Sequence, residues 1–104
     1  MKLSEREKAL EDLFAHDHEL RFKVRSRRNK QAGIWAAEKM GKTPQEASEY
    51  ALELVTSFLD RQQLLNRLKS DLAASGINIE DVEIIAKIND LVEQSRKYFM
   101  EQQQ

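Results

Sequence analysis

Apolar residues recur along this chain at helical spacing, and the stops between them divide it into four segments. The first is the least typical. Leu3, Leu10 and Val24 share one heptad position and Leu13, Leu20 and Ile34 another, but the seam is narrow and broken by Asp17, Arg27 and Gln31. A globular helix normally shows an apolar stripe wider than about 100°. Ser4 to Glu7 reads as a capping box, the serine oxygen accepting from a first-turn amide while Glu7 reaches back. The helix begun there continues through Ile34, Trp35, Ala36 and Ala37 to Gly41, a natural left-handed C-cap. Over residues 4–18 tertiary packing has little to hold, and isolated helices below ~12–15 residues are marginal in water. The expectation is an arm that frays or is conformationally labile in the free protein.

The later segments are better patterned. Thr43-Pro44-Gln45-Glu46 combines a cap, a proline at the first helical position and a glutamate that closes the box. Behind it Ala47, Ala51, Leu54, Val55 and Phe58 keep helical spacing. Leu64, Leu65, Leu68 and Leu72 suggest a third helix. No glycine or proline separates it from the second, so the break is placed near Leu59–Gln62 from a shift of the stripe alone. Gly76 ends the third helix, with Ile77 set to touch Leu72 as in a Schellman motif. Asn78 is predicted to cap the fourth, with Ile77 and Val82 as a hydrophobic staple. Its expected buried stripe is Val82, Ile85, Ile88, Val92, Ser95 and Phe99, flanked by Ile84 and Leu91, before a polar tail at Glu101–Gln104. The predicted fold is all-α: a small four-helix bundle with a long, labile N-terminal helical arm. Residues 1–19 form the arm and residues 20–104 the four-helix domain. Trp35 reads as a core anchor, with Met40 and Tyr50 at the core edge.

Composition agrees with this and narrows the chemistry. The 104 residues are rich in Ala, Leu, Glu, Lys, Arg and Gln, with one proline and three glycines. There is no cysteine, hence no disulfide, thiolate metal site or thiol nucleophile. No apolar run approaches the roughly 20 residues of a membrane span, and no signal-peptide pattern opens the chain; an intracellular protein without membrane insertion is expected. The net charge of -1 conceals three unequal parts. Residues 1–20 carry three cations and six acids, residues 21–30 six cations and no acid, and the remainder eight cations and twelve acids. Such asymmetry concerns partners and docking more than fold.

Few constellations carry chemistry. His16 and His18 lie two apart, so a helix turns them to different faces and they share no metal easily; no metal site is expected, although histidine titrates near neutrality and a pH-sensing role is physically available. No glycine-rich phosphate loop, H-E-x-x-H or nucleophile setting occurs, so no enzyme is expected. The basic block distributes its cations over two faces: Arg21, Arg25 and Arg28 line one, Lys23, Arg27 and Lys30 another. That arrangement suits a solvated, internally paired helix or one embraced by an acidic protein surface better than a stripe facing a duplex. Contact with phosphate or nucleotide through Arg21, Arg25, Arg27, Arg28 and Lys30 stays as a further alternative. Nucleic acid is disfavoured by the slightly acidic total.

The residues Arg6-Glu7-Lys8-Ala9, Phe14-Ala15-His16-Asp17, Glu19-Leu20-Arg21-Phe22-Lys23, Arg27-Arg28-Asn29-Lys30, Gly33 and Trp35-Ala36-Ala37-Glu38-Lys39 resemble the zeta subunit family of bacterial ATP synthase inhibitors. The likeness is dense from residue 5 to 41 and continues more weakly, through helical spacing and Asp71-Leu72-Ala73-Ala74 before Gly76. One departure is clear. The family usually has an acidic, glycine-containing loop between its second and third helices, whereas Thr56–Gln63 is shorter and lacks glycine.

The resemblance implies a small four-helix protein bound to the catalytic head of an F-type ATP synthase, with the alpha, beta and gamma subunits as partners. The protein would be cytoplasmic, held peripherally at the inner membrane through the synthase. It further implies that the N-terminal segment enters an interface between catalytic subunits, beside the rotor shaft, and blocks hydrolytic rotation. Carried onto this sequence, that segment is Met1 to Glu19, with Arg6, Glu7, Lys8, Phe14, His16 and Asp17 at matching positions and Leu10, Leu13 and Phe14 as apolar anchors. The alternative is a small helical nucleotide- or RNA-binding protein using residues 21–30. No cofactor is required on either reading, beyond weak nucleotide binding on the second.

Overall fold

A computed structural model describes the backbone of residues 3–102 and the side chains of residues 18–102. Helix α1 runs unbroken over Leu3–Lys39, followed by α2 at Pro44–Thr56, α3 at Arg61–Ala74 and α4 at Asp81–Gln102. At ~1.5 Å per residue, the 37 residues of α1 are about 55 Å long, which accounts for nearly all of the molecule's 58 Å extent. The other helices pack on its C-terminal half, α2 most extensively and then α4, while α3 rests on α4 and α1. The all-α bundle with a long N-terminal helix is the predicted one. The Ser4 capping box falls on residues whose side chains lie outside those described, and so do the apolar positions Leu3, Leu10 and Leu13.

Why α1 packs here and not elsewhere follows from its small residues. Among its described side chains Val24, Arg28, Asn29, Ala32, Gly33, Ala36 and Ala37 are buried, a stripe at helical spacing. Ile34, Trp35 and Gln31 are only partly buried. Trp35 is therefore not the anchor expected; it covers the core edge, with the Lys39 ammonium 5.3 Å from its ring centre. Alanine and glycine let backbones approach, and a side chain as large as tryptophan must stand at the margin of such a contact. A Cβ at Gly33 would lie 2.8 Å from the Ala51 Cα of α2.

Both glycine-terminated helices end in the Schellman arrangement. The Gly41 amide donates to Glu38 O and the Lys42 amide to Ala37 O; the Gly76 amide donates to Ala73 O and the Ile77 amide to Leu72 O. Both glycines sit at positive φ, 76° and 79°. The Thr43–Glu46 capping box forms as expected, with reciprocal bonds of 2.9 and 3.2 Å. Tyr50 is buried rather than at the edge. Its hydroxyl donates to Asp71 Oδ2 at 2.6 Å, and Arg67 bridges the same carboxylate to Glu53, so polar contacts tie α2 to α3.

The α2–α3 break differs from the expectation. It falls at Ser57–Asp60, a little earlier than Leu59–Gln62. Asp60 caps α3, and Asp60 and Gln63 exchange backbone-to-side-chain bonds of 2.8 and 3.0 Å. In place of a glycine the turn uses Phe58 at φ 51°, and the ring, expected inside, is 64% exposed. The start of α4 also moves. Asn78 does not cap it: the first turn is built on Glu80, whose carbonyl accepts from the Glu83 and Ile84 amides. Ile77 and Ile79 both pack against the core, and the chain between them is not helical, the helix starting only at Asp81. The stripe then rotates. Ile84, Ile88, Leu91 and Ser95 are buried, Ile85, Val92 and Phe99 partly so, and Val82 is 75% exposed, so there is no staple with Ile77.

Candidate functional site

The chain's distinctive chemistry lies where α1 leaves the bundle. Around residues 22–29 the helix is held on two sides. On one, Asn29 is 1% exposed and its Nδ2 donates to Leu54 O at 3.4 Å and Leu59 O at 3.1 Å. Arg28, 7% exposed, donates from Nε to Asn29 Oδ1 and from Nη2 to Leu59 O. These bonds satisfy a carbonyl at the C-terminal end of α2 and another in the turn, oxygens that a helix end leaves without intrahelical partners. On the other side the Arg27 guanidinium stacks on Tyr98 of α4, 3.7 Å from the ring centre, and Tyr98 in turn meets Phe99 edge to face. Arg28's pKa is pulled down chiefly by burial and then by Arg25 and Arg61, with Asp60 opposing; the group is fixed by carbonyls rather than by a carboxylate bond.

The basic block is thus divided by the fold. Arg27 and Arg28, expected among solvated or phosphate-facing cations, hold α1 to its neighbours. Arg21, Lys23, Arg25 and Lys30 are exposed. Lys23 pairs with Glu19 at 3.1 Å, an exposed i,i+4 bridge of small energetic weight. His18 is exposed. The side chains of Arg6, Glu7, Lys8, Leu10, Leu13, Phe14, His16 and Asp17 lie outside the described residues, although the helix backbone passes through all of them. Among the described residues no three His, Asp or Glu side chains gather as a metal site would require, and no helix is long and apolar enough to cross a membrane.

Three features of this collar, where Asn29, Arg28 and Arg27 hold α1 to its neighbours, were not read from the sequence. Asn29 shares its helix face with Ala32, Gly33 and Ala36, a position that would bury a polar amide and demand partners for it. Asp60-Arg61-Gln62-Gln63 is a capping-box pattern that would have located the α3 start. Tyr98 against Arg27 left no such trace, because their pairing depends on how α4 crosses α1.

No curated protein and no solved structure gives a significant match to this chain. A family model described as ATPase inhibitor subunit zeta matches residues 1–98, which spans the long helix, its collar and nearly all of α4. The chain belongs to the ATPase inhibitor subunit zeta family.

Proposed function

We propose that this protein inhibits ATP hydrolysis by the F-type ATP synthase, its residues 1–19 entering an interface between catalytic subunits as a helix and blocking hydrolytic rotation. The carrying observation is that the family match includes those residues, and that α1 runs without a break from Leu3 through Glu19 into the bundle. The collar supports the mechanical side of the reading. A wedge resists motion only if its base is held, and here α1 is bonded to the α2–α3 turn through Asn29 and Arg28 and stacked on α4 through Arg27. Leu10, Leu13 and Phe14 supply apolar anchors, with the arm's charges pairing at the cleft rim. In the free protein the arm is conformationally labile and orders on binding; strong amide-exchange protection at Leu10–Phe14 without a partner would contradict this. The inhibition is steric and needs no catalytic group or cofactor.

The test is ATP hydrolysis by the cognate purified synthase, titrated with the full chain and with a chain beginning at Leu20. Inhibition by the first and not the second is expected, with Leu13→Asp and Phe14→Asp reproducing the loss. Equal inhibition by both chains would remove the arm from the mechanism. Equal inhibition of synthesis and hydrolysis would refute the directional wedge. The nucleotide- or RNA-binding alternative gains nothing from the fold, which commits Arg27 and Arg28 to internal contacts.

A further inference from the structure

Phe22 and Phe58 form an exposed aromatic pair at the foot of the arm. Their ring centres are 6.2 Å apart with planes inclined by 34°, and the rings are 55% and 64% exposed. Phe58 occupies the left-handed region at φ 51°, which strains a residue that carries a side chain, because its Cβ crowds the backbone. Glycine would make this turn without strain. Burial does not offset the cost, because most of the ring stays in water. The turn is nonetheless held firmly, since Leu59 O, the next carbonyl along, accepts from both Asn29 and Arg28. A strained residue held by its surroundings and presenting a large apolar side chain outward is a functional signature rather than a packing one.

The surroundings define what the pair would meet. Phe22 lies one turn beyond residues 18 and 19, so a body that receives the arm reaches this surface next. Arg25 follows Phe22 by three residues on the same helix, and Arg61 follows Phe58 by three at the start of α3. Arg61 is steadied by a 2.7 Å bond to Asn89, and around Arg28 the fields of Arg25 and Arg61 outweigh that of Asp60. An aromatic centre rimmed by cations suits an apolar patch with an acidic border.

We propose that the Phe22–Phe58 pair, flanked by Arg25 and Arg61, is a second contact with the ATPase head, an aromatic knob that seats on an apolar, acid-rimmed surface at the mouth of the cleft and sets how far the arm enters. This rests on the arm reading and adds to it a docking surface on the folded domain. Its rigidity matters, because a preformed knob loses little conformational freedom on binding.

Phe58→Gly in the full chain separates this role from a structural one, since glycine favours the positive φ. The variant is expected to melt at or above the wild-type temperature, yet to bind immobilised purified ATPase head about tenfold more weakly, near 1.4 kcal/mol, and to need correspondingly more protein for half-inhibition. Phe22→Ala, which leaves a good helix former, is expected to lose affinity similarly. Binding and inhibition by Phe58→Gly within twofold of wild type would overturn the proposal. So would a wild-type dimer that Phe58→Gly dissociates while binding to the head is unchanged, for the patch would then serve self-association. Leu13→Asp in parallel keeps the two readings apart. If it inhibits like wild type, the wedge fails while the Phe58→Gly affinity still decides the knob; if wild type does not bind the head at all, both fail.

Discussion

Replacing Gly33 with alanine sets two effects of opposite sign against each other, and the structure decides between them. In an exposed helix interior the change stabilises by about 1 kcal/mol through propensity. At Gly33 the added methyl would stand 2.8 Å from the Ala51 Cα, 3.1 Å from Leu54 Cδ1 and 3.3 Å from Ala51 Cβ. Comfortable carbon contacts lie at ~3.5–4.0 Å, so the helices must separate by most of an ångström. Leu54 can swing its terminal methyl aside; the Ala51 Cα moves only with α2 itself. That displacement loosens the most extensive helix pairing in the molecule, and overpacking of this kind costs about 1–3 kcal/mol. With an overpacking cost in the middle of that range, about 2 kcal/mol, a net destabilisation of about 1 kcal/mol is expected after the propensity gain. At roughly 4–8 °C per kcal/mol for a domain of this size, the melting temperature falls by about 4–8 °C. Thermal unfolding followed by circular dichroism is the assay, with helicity at low temperature unchanged. Inhibition measured well below the transition should also be unchanged, because the arm is not part of this contact. A variant that melts at or above the wild-type temperature would refute the close-packing argument.

Asn29→Ala removes the amide that joins Leu54 O and Leu59 O to α1, and should cost about 2–3 kcal/mol in chemical denaturation; unaltered amide exchange at residues 57–60 would show that the turn is held otherwise. Ser95 Oγ is buried without a hydrogen-bond partner among the described residues, so Ser95→Ala should raise stability by about 1 kcal/mol, and a lower melting temperature would reveal a partner for that hydroxyl. Tyr50→Phe should cost about 1–2 kcal/mol by breaking the bond to Asp71. Burial first and that bond second raise the Tyr50 pKa above its ordinary value near 10. Its contribution is therefore complete below that value and is lost only as pH rises above it towards the raised folded-state value, so the melting temperatures of wild type and Tyr50→Phe should stay apart up to about pH 10 and converge only above it. Parallel curves would count against it. Glu46 works in the opposite direction: Thr43 bonds hold its carboxyl below the usual range, so its contribution is present above that range and lost as pH falls through the depressed value, a dependence absent in Glu46→Gln.

Sequence by itself determined the number of helices, the Schellman ends at Gly41 and Gly76 and the Thr43–Glu46 cap, because each depends on residues within one turn of one another. It also carried the family, through the Arg6–Lys39 segments. The buried stripes of α2 (Ala47, Ala51, Leu54) and α3 (Leu64, Leu65, Leu68, Leu72) were also legible, but not the face that α1 buries nor the rotation of the α4 stripe. The seam of α1 is built from Ala32, Gly33, Ala36, Ala37 and a satisfied Asn29, residues with little hydropathy, whereas Ile34 and Trp35 drew attention and stand at the margin. The roles of Arg27 and Arg28 were equally hidden, since a cation's partner is fixed by the crossing of α4 and by the course of a turn some 30 residues away. Phe58 shows the limit most plainly: helical spacing assigned it to the core, and only the tertiary turn, with Leu59 O held by α1, forced it into the left-handed conformation and out into solvent. Local chemistry set the ends of the helices, and packing of small residues decided how they meet.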